Sequence, residues 1–394
     1  MEHTSPPYSR RHFLKTTGAF CSSLFLANTI NTTRAFAKKE TLRLGYLPIT
    51  DATPLLVAHG LGYFSDEGLA IEKPVMVRSW KVLTESFLAG KFNLTHMLFP
   101  IPVWMRFKQN IPVKVLAWNH TNGSTVTVRG DSDIYSFKDL GGRKIAVPSW
   151  YSMHNLIIQM GIRSQGLEPV INKQPDSLKK DEVNLFILAP PDMPTALLGR
   201  KIDGFIVADP FNALAQIKLN ARIMRFTGDI WRDHPCCVIV ANENFINKNQ
   251  SVIQKAVNAV VRAQEWCLGN PKETAHLLSR EGEGYLPLSK DVLSKVFEDP
   301  EKQTLVHPDW KVSRIGFQPF PFPSATEFII DRMKHTLVEG NSDFLKNLDT
   351  MKASKDLVEK RFVTKALDEM GGLKRFCDCH ITKPYTREEV VEIS

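Results

Sequence analysis

The sequence predicts an α/β fold of two lobes, each a mostly parallel sheet flanked by helices. Short apolar runs alternate with helical patterns from Thr41 to Phe99, and the alternation resumes at Lys144. Strands that alternate with helices form parallel sheets covered on both faces. The chain has 394 residues, which is enough for two domains of ordinary size.

The first lobe begins with the apolar run Thr41–Pro48, which a proline ends. Helical and apolar patterns then follow in turn, at 54–63 (helix), 71–77 (strand), 81–89 (helix) and 94–99 (strand). The second lobe repeats the pattern, at 144–147 (strand), 153–165 (helix), 185–188 (strand) and 204–207 (strand). The two units meet near Gly123-Ser124.

The strand pattern Val238–Ala241 and the amphipathic helix Ser251–Leu268 are expected to rejoin the first lobe. The predicted domains are therefore lobe 1, formed by 38–123 and 236–330, lobe 2, formed by 124–235, and a C-terminal helical region with a cysteine-containing tail, 331–394.

The first 37 residues resemble a twin-arginine signal peptide. Arg10-Arg11 precedes an apolar stretch, Thr16–Ile30, which is shorter than the ~20 apolar residues that span a bilayer. Ala35-Phe36-Ala37 offers the small residues that precede a cleavage site, so the mature chain is expected to start at Lys38. This predicts export by the twin-arginine translocase and a periplasmic location.

The predicted mature chain has 357 residues and a formal charge of +5 that is spread along it. Spread charge argues against a nucleic-acid partner and is compatible with an anionic ligand. Five of the six cysteines remain after cleavage, so an odd count leaves at least one unpaired in a monomer.

Several stretches resemble the solute-binding components of ABC importers for nitrate, bicarbonate, sulfonates and taurine. They are Gly45–Leu55, Gly62–Leu69, Phe137–Pro148, Asp203–Asn212, Trp231–Pro235 and Ala241–Ile246. The resemblance implies a type II periplasmic-binding-protein fold. It also implies a protein that is not an enzyme and needs no cofactor, and that hands a small anionic solute to an ABC permease of the inner membrane.

The helix start after the strand at 144–147 is a candidate ligand site. Free backbone N–H groups at a helix N-terminus hold anions, and ligands of parallel sheets bind beyond the carboxyl ends of strands. The candidates here are Ser149, Trp150, Ser152 and His154. The alternatives are a plain helix cap for the serines and a structural or surface role for the histidine.

The resemblance adds three residues to the predicted site. Trp80 is similar to a tryptophan that lines the anion pocket of the nitrate branch, and Arg232 to a basic residue directed at the anion. Trp80 and Arg232 are therefore expected to share one pocket. Asp209 stands where the family places a cleft residue. The competing roles are core packing for Trp80, a surface pair with Asp233 for Arg232, and a salt bridge or cap for Asp209.

The stretch Thr95–Trp104 is more apolar than the glycine- and glutamine-rich stretch of these relatives. This difference weakens the prediction of nitrate itself as the ligand.

Two alternatives remain open. One is a thiamine-pyrimidine precursor binding or synthesis protein of the same fold, since Cys236-Cys237 matches two residues of an iron-associated motif of that family. The other is a metal-binding periplasmic protein that uses Cys377, Cys379 and His380. The alternative to metal binding by the tail is a pair of disulfides that join Cys377 and Cys379 to Cys236 and Cys237.

Overall fold

Two β-sheets organise the chain in a computed structural model that describes residues 41–298, 314–376 and 385–393. The strands are β1 Thr41–Leu42, β2 Leu44–Tyr46, β3 Ala70–Ile71, β4 Val75–Met76, β5 Leu94–Leu98, β6 Val113–Trp118, β7 Thr121–Asn122, β8 Ser124–Arg129, β9 Lys144–Val147, β10 Glu168–Ile171, β11 Glu182–Ile187, β12 Gly204–Ala208, β13 Ala221–Phe226, β14 Cys237–Asn242 and β15 Ile315–Gly316.

Helices cover both sheets, as expected for apolar strand runs that must be buried on both faces. They are α1 Thr53–Gly60, α2 Tyr63–Asp66, α3 Trp80–Leu88, α4 Pro100–Phe107, α5 Met153–Ser164, α6 Met193–Leu198, α7 Phe211–Leu219, α8 Glu243–Lys248, α9 Gln250–Gly269, α10 Pro271–Leu278, α11 Lys290–Phe297, α12 Pro323–Lys334, α13 Thr350–Leu357 and α14 Arg361–Glu369.

The first sheet has the strand order β4-β2-β5-β14-β6 within the described residues. Strand β2 is parallel to β4 and β5, whereas β14 is antiparallel to β5 and β6. The late strand β14 therefore returns to the first sheet, as the sequence predicted.

The second sheet has the order β10-β11-β9-β12-β8-β13. Its strands β10, β11, β9 and β12 are parallel, and β8 is antiparallel to β12 and β13. All of these strands lie between Ser124 and Phe226. The predicted α/β fold class is confirmed, and the exact domain boundaries stay a prediction.

Strand pairing places the first residues of the antiparallel strands β14 and β8 beside the loops at the carboxyl edges of the two sheets. Cys237 pairs with Leu98 at the end of β5, because β14 runs antiparallel to it. The residues just before β14 therefore lie beside the loops that follow β2, β5 and β6. In the second sheet Ser124 pairs with Ala208 at the end of β12, so the start of β8 lies near the loop that leaves β9.

The C-terminal residues 385–393 pack against the segment that precedes β14. The backbone N–H of Glu392 donates to the carbonyl of Ile230 at 2.8 Å, and that of Arg232 donates to the carbonyl of Val390 at 3.0 Å. The side chain of Glu389 accepts a hydrogen bond from Trp231 Nε1 at 2.8 Å. The sequence did not predict this contact.

Two predictions fall on residues that the structure does not describe. They are the signal peptide with its junction at Ala37-Lys38 and the tail with Cys377, Cys379 and His380. Within the described ranges, no helix is both long enough and apolar enough to cross a membrane.

Candidate functional site

A cavity of about 320 Å³ lies between helices α3 and α4 on one side and the loop after β9 on the other. It is therefore bordered by elements that flank both sheets. Its lining residues are Trp80, Lys81, Thr84, Glu85, Leu88, Ile101, Trp104, Ser149 and Tyr151. Its volume is within the range of small-molecule sites, and most of its wall is apolar or aromatic.

Trp80 is the first residue of α3, and it places a buried indole at this cavity. Ser79 caps the helix, because its hydroxyl oxygen accepts a hydrogen bond from the N–H of Val82 at 3.3 Å. The Trp80 side chain packs edge-on against His96, with ring centroids 5.4 Å apart. Its Nε1–H is buried and has no acceptor among the described residues.

His96 offers a second buried donor next to Trp80. The N–H of Leu47 donates to His96 Nε2 at 3.1 Å, so that nitrogen must keep its lone pair. Burial lowers the pKa of His96 to about 3, and the ring is neutral. The hydrogen therefore resides on Nδ1, which is buried without a partner in the described parts of the chain. Of the two residues only Trp80 lines the cavity, and leaving a buried donor unpaired costs free energy that an acceptor oxygen of a ligand would recover.

The predicted helix-start residues separate into different roles. Ser149 lines the cavity together with Trp80. Ser152 is the N-cap of α5, since its oxygen accepts from the N–H of Asn155 at 3.0 Å while its hydroxyl donates to Ser149 at 2.7 Å. Trp150 donates from Nε1 to Glu339 at 3.1 Å, so it is held by the C-terminal region.

Asp209 and Arg232 do not line this cavity. Asp209 is fully buried and pairs with Arg314 through two hydrogen bonds of 2.6 and 2.9 Å, which is the salt-bridge alternative. The side chain of Arg232 is 30% exposed and lies 3.9 Å from Asp233, which is the surface-pair alternative. The expectation that Trp80 and Arg232 share one pocket is therefore not met at this cavity.

A fully buried cluster of Asp51, His120, Cys236 and Cys237 lies at the carboxyl edge of the first sheet, and we call it the central cluster. Asp51 follows β2, His120 follows β6, Cys236 precedes β14 and Cys237 is its first residue. Cys236 and Cys237 are free thiols. The sequence did not single out Asp51 or His120, although each follows an apolar strand run, the position at which functional residues of α/β sheets collect.

Charges in the central cluster influence one another strongly. Burial raises the pKa of Asp51 to about 6. Burial opposes a charge on His120, but the carboxylate of Asp51 outweighs it and raises the pKa of His120 to about 10. The two groups therefore form an ion pair at neutral pH.

The two thiols of the central cluster differ. Burial alone would raise the pKa of Cys236, but hydrogen bonding from Cys237 and the nearby His154 and His120 hold it well below its usual value. Burial and the neighbouring Cys236 raise the pKa of Cys237. The surroundings therefore shift the pKa of Cys236 toward the thiolate form and that of Cys237 toward the thiol form.

Residues of the second sheet contact this cluster. Ser124 Oγ, at the start of β8, lies 3.9 Å from Cys236 Sγ. The same hydroxyl lies 2.9 Å from Nε2 of His154, which is fully buried in the first turn of α5. The predicted ligand residue His154 thus belongs to the surroundings of the central cluster and not to the lining of the cavity.

Comparison with known proteins gives the family. The model of the NMT1-like family matches residues 35–280, more than half of the chain. The chain belongs to the NMT1-like family. This NMT1-like protein is 27% identical over 303 residues to the nitrate/nitrite binding protein NrtA of Nostoc sp., with 66% of each chain covered. It is also 25% identical to the bicarbonate transport ATP-binding protein CmpC of Synechocystis sp., covering 68% of this chain and 41% of that one.

The NMT1-like chain thus spans about two thirds or less of the length of these two relatives. The crystal structure of the periplasmic nitrate-binding protein NrtA from Synechocystis PCC 6803 matches with a TM-score of 0.72 at 17% identity. That match covers 90% of this chain and 94% of that one, and at this identity it supports the fold alone. The predicted family and the periplasmic-binding-protein fold are confirmed.

Proposed function

We propose that this protein is the exported solute-binding component of an ABC importer, and that its solute has an anionic head and a short apolar body. The observation that carries the proposal is the cavity bordered by α3, α4 and the loop after β9, which joins Trp80, with its unpaired buried N–H, to an aromatic wall. Short sulfonates are the solutes of the predicted set that combine these two features.

The anionic head is supported by the donors at one end of the cavity. Trp80, on the cavity lining, has a buried Nε1–H without an acceptor in the described chain, and His96, which packs against Trp80 outside the lining, has another at Nδ1. Trp80 also begins α3, where unpaired backbone N–H groups favour negative charge. Lys81 and Glu85 on the cavity lining lie 4.0 Å apart as an ion pair, so they add no net charge.

The apolar body is supported by the opposite wall. Trp104 and Tyr151 stack with ring centroids 5.7 Å apart, and Ile101 and Leu88 complete this surface. Nitrate and bicarbonate have no apolar part, so they would leave this surface in contact with water or empty space. Burying the methylene groups of a short alkyl chain against it stabilises the complex by about 0.8 kcal/mol for each group.

Binding is tested on the mature protein with nitrate, bicarbonate, taurine and short alkanesulfonates, first by thermal shift and then by isothermal titration calorimetry. A solute at 100 times its Kd adds about 2.7 kcal/mol to the free energy of unfolding. We expect alkanesulfonates to bind most tightly. If none of these solutes binds, the proposed anion-binding function is contradicted. If nitrate or bicarbonate binds most tightly, the proposal that the solute has an apolar body is contradicted.

Trp80→Phe locates the site, because it keeps an aromatic ring and removes the Nε1–H. A hydrogen bond to a charged group contributes about 1.5–3 kcal/mol, so we expect the affinity for the best solute to fall about tenfold to a hundredfold. Trp266→Phe, on α9 and outside the cavity lining, is the matched control and should leave the affinity unchanged. Equal affinities of the two variants would remove Trp80 from the site.

Export is supported by the twin-arginine pattern and by relatives whose names describe binding and transport proteins. We expect mature protein with Lys38 at its N-terminus outside the cytoplasmic membrane. Changing Arg10 and Arg11 together to Lys should leave uncleaved precursor in the cytoplasm, measured by fractionation and N-terminal sequencing. Lys218→Arg, far from the signal, is the control. Normal export of the double variant would rule out the twin-arginine route.

A further inference from the structure

The central cluster brings four potential metal ligands from distant parts of the chain to one point. Asp51 Oδ2 lies 2.9 Å from His120 Nε2, 3.0 Å from Cys237 Sγ and 3.4 Å from Cys236 Sγ. One ligand atom from each of the four residues lies within 4.8 Å of those of the other three. All four residues are completely buried. The arrangement is therefore built into the interior and is not a chance cluster of surface charges.

The spacing fits a four-coordinate metal ion. Zn–S bonds of about 2.3 Å and Zn–N or Zn–O bonds of about 2.0–2.2 Å in a tetrahedron place neighbouring ligand atoms roughly 3.3–3.8 Å apart. The three measured distances to Asp51 Oδ2 are slightly shorter than or within this range. Adjacent residues within a strand point to opposite faces, but Cys236 lies before β14. The sulfurs of Cys236 and Cys237 therefore both reach the Asp51 carboxylate. Small outward movements of the side chains would accommodate an ion.

The hydrogen bonds inside the central cluster do not satisfy all of its polar atoms. Asp51 Oδ1 and His120 Nδ1 are buried and have no partner among the described residues. His120 Nε2 lies 3.3 Å from the N–H of Cys237, which requires a lone pair, and 2.9 Å from Asp51 Oδ2, which requires a hydrogen. One nitrogen cannot supply both. A cation accepts lone pairs from His120 Nε2, Asp51 Oδ2 and the two sulfurs at the same time, so no hydrogen is then needed between Nε2 and Oδ2.

The donor set selects the class of metal. Two cysteine sulfurs, one imidazole nitrogen and one carboxylate oxygen suit Zn²⁺ and similar thiophilic ions, whereas Ca²⁺ and Mg²⁺ prefer oxygen ligands only. Ser124 of β8 contacts Cys236, and His154 of α5 contacts Ser124. Such outer groups orient metal ligands. An ion at this point would therefore stabilise the junction between the two sheets.

We propose that Asp51, His120, Cys236 and Cys237 bind one thiophilic divalent metal ion of the Zn²⁺ class at the carboxyl edge of the first sheet. The site differs from the tail residues Cys377, Cys379 and His380 at which the sequence suggested metal binding. It also shares no residue with the cavity lining, so a failure of the metal site would leave the proposed solute site untouched.

Metal content of the mature protein, residues 38–394, tests the proposal after stripping with a chelator and reloading with Zn²⁺ alone. We expect about one Zn²⁺ per chain by elemental analysis and a melting temperature that falls when the metal is stripped. Co²⁺ loaded in place of Zn²⁺ should show a thiolate-to-cobalt charge-transfer absorption. The double variant Cys236→Ser/Cys237→Ser should lose at least nine tenths of the metal.

Two control variants separate the alternatives. Cys267→Ser changes another buried free thiol and should keep the full metal content. Cys377→Ser/Cys379→Ser should also keep it. Loss of metal in this tail variant with retention in Cys236→Ser/Cys237→Ser would overturn the proposal. A folded wild-type protein that binds no Zn²⁺ and shows no cobalt–thiolate absorption would overturn it as well. A disulfide between Cys236 and Cys237 in freshly purified protein, seen by mass spectrometry, would have the same consequence.

Discussion

Asp209→Ala is expected to lower the free energy of unfolding by about 3–5 kcal/mol, because it removes the buried carboxylate that accepts two hydrogen bonds from the Arg314 guanidinium. Arg314 donates to both carboxylate oxygens of Asp209, and the two side chains are 2% and 0% exposed. The Asp209 carboxylate also accepts from the N–H of Ala213. Urea unfolding of the purified variant, followed by circular dichroism, measures the loss.

A second variant separates the loss of the pair from the loss of one partner. Asp209→Ala/Arg314→Met removes both charges, so it should lose less stability than the sum of the two single variants. Asp66→Ala is the exposed control, since Asp66 pairs with Arg262 at 2.8 Å with both side chains about half exposed, and it should change the melting temperature little. If Asp209 binds solute instead, its replacement would abolish binding at nearly unchanged stability.

Glu389→Ala is expected to have an effect of similar size, about 3–5 kcal/mol, for the same physical reason. Glu389 accepts two hydrogen bonds from Arg387, at 2.7 and 2.9 Å, and the two side chains are 8% and 6% exposed. It also accepts from Trp231 Nε1 at 2.8 Å and from Ser324 Oγ at 2.8 Å. Its removal would take the carboxylate away from the largely buried Arg387 guanidinium and the acceptor away from the indole N–H of Trp231.

The neighbouring Glu388 is the matched control for this prediction. It has the same side chain one residue away, and it is exposed. Glu388→Ala should therefore leave the urea midpoint of unfolding nearly unchanged. Equal midpoints for the two variants would contradict the role of residues 385–393 in stabilising the segment around Trp231.

Much of the local structure could be predicted from the sequence. The strand at 144–147 has the predicted bounds, and α5 begins at Met153 as predicted, directly after the Ser152 cap. Helix α9 spans Gln250–Gly269 where an amphipathic helix was expected. Such features depend on apolar periodicity and on caps within a few residues, so a single stretch of sequence contains the information.

Parts of the candidate site were also accessible to sequence reasoning. Trp80 and Ser149 were predicted as ligand residues, and both line the cavity. Ser152 and Asp209 were predicted there too, but the structure gives them a cap and a buried ion pair, which were the competing interpretations. A residue type at a loop suggests that it lies near the cleft. It does not show which neighbouring residues will form hydrogen bonds or ion pairs with its polar atoms.

The sequence by itself therefore determined the α/β class, the return of β14 to the first lobe and the family. Only the tertiary structure decided that Asp51 and His120 meet Cys236 and Cys237, and that His96 lies beside Trp80. These contacts depend on strand order and on the antiparallel insertion of β14 between β5 and β6. Local periodicity specifies which face of a strand is buried, whereas the choice of neighbouring strand depends on packing between segments far apart in the chain.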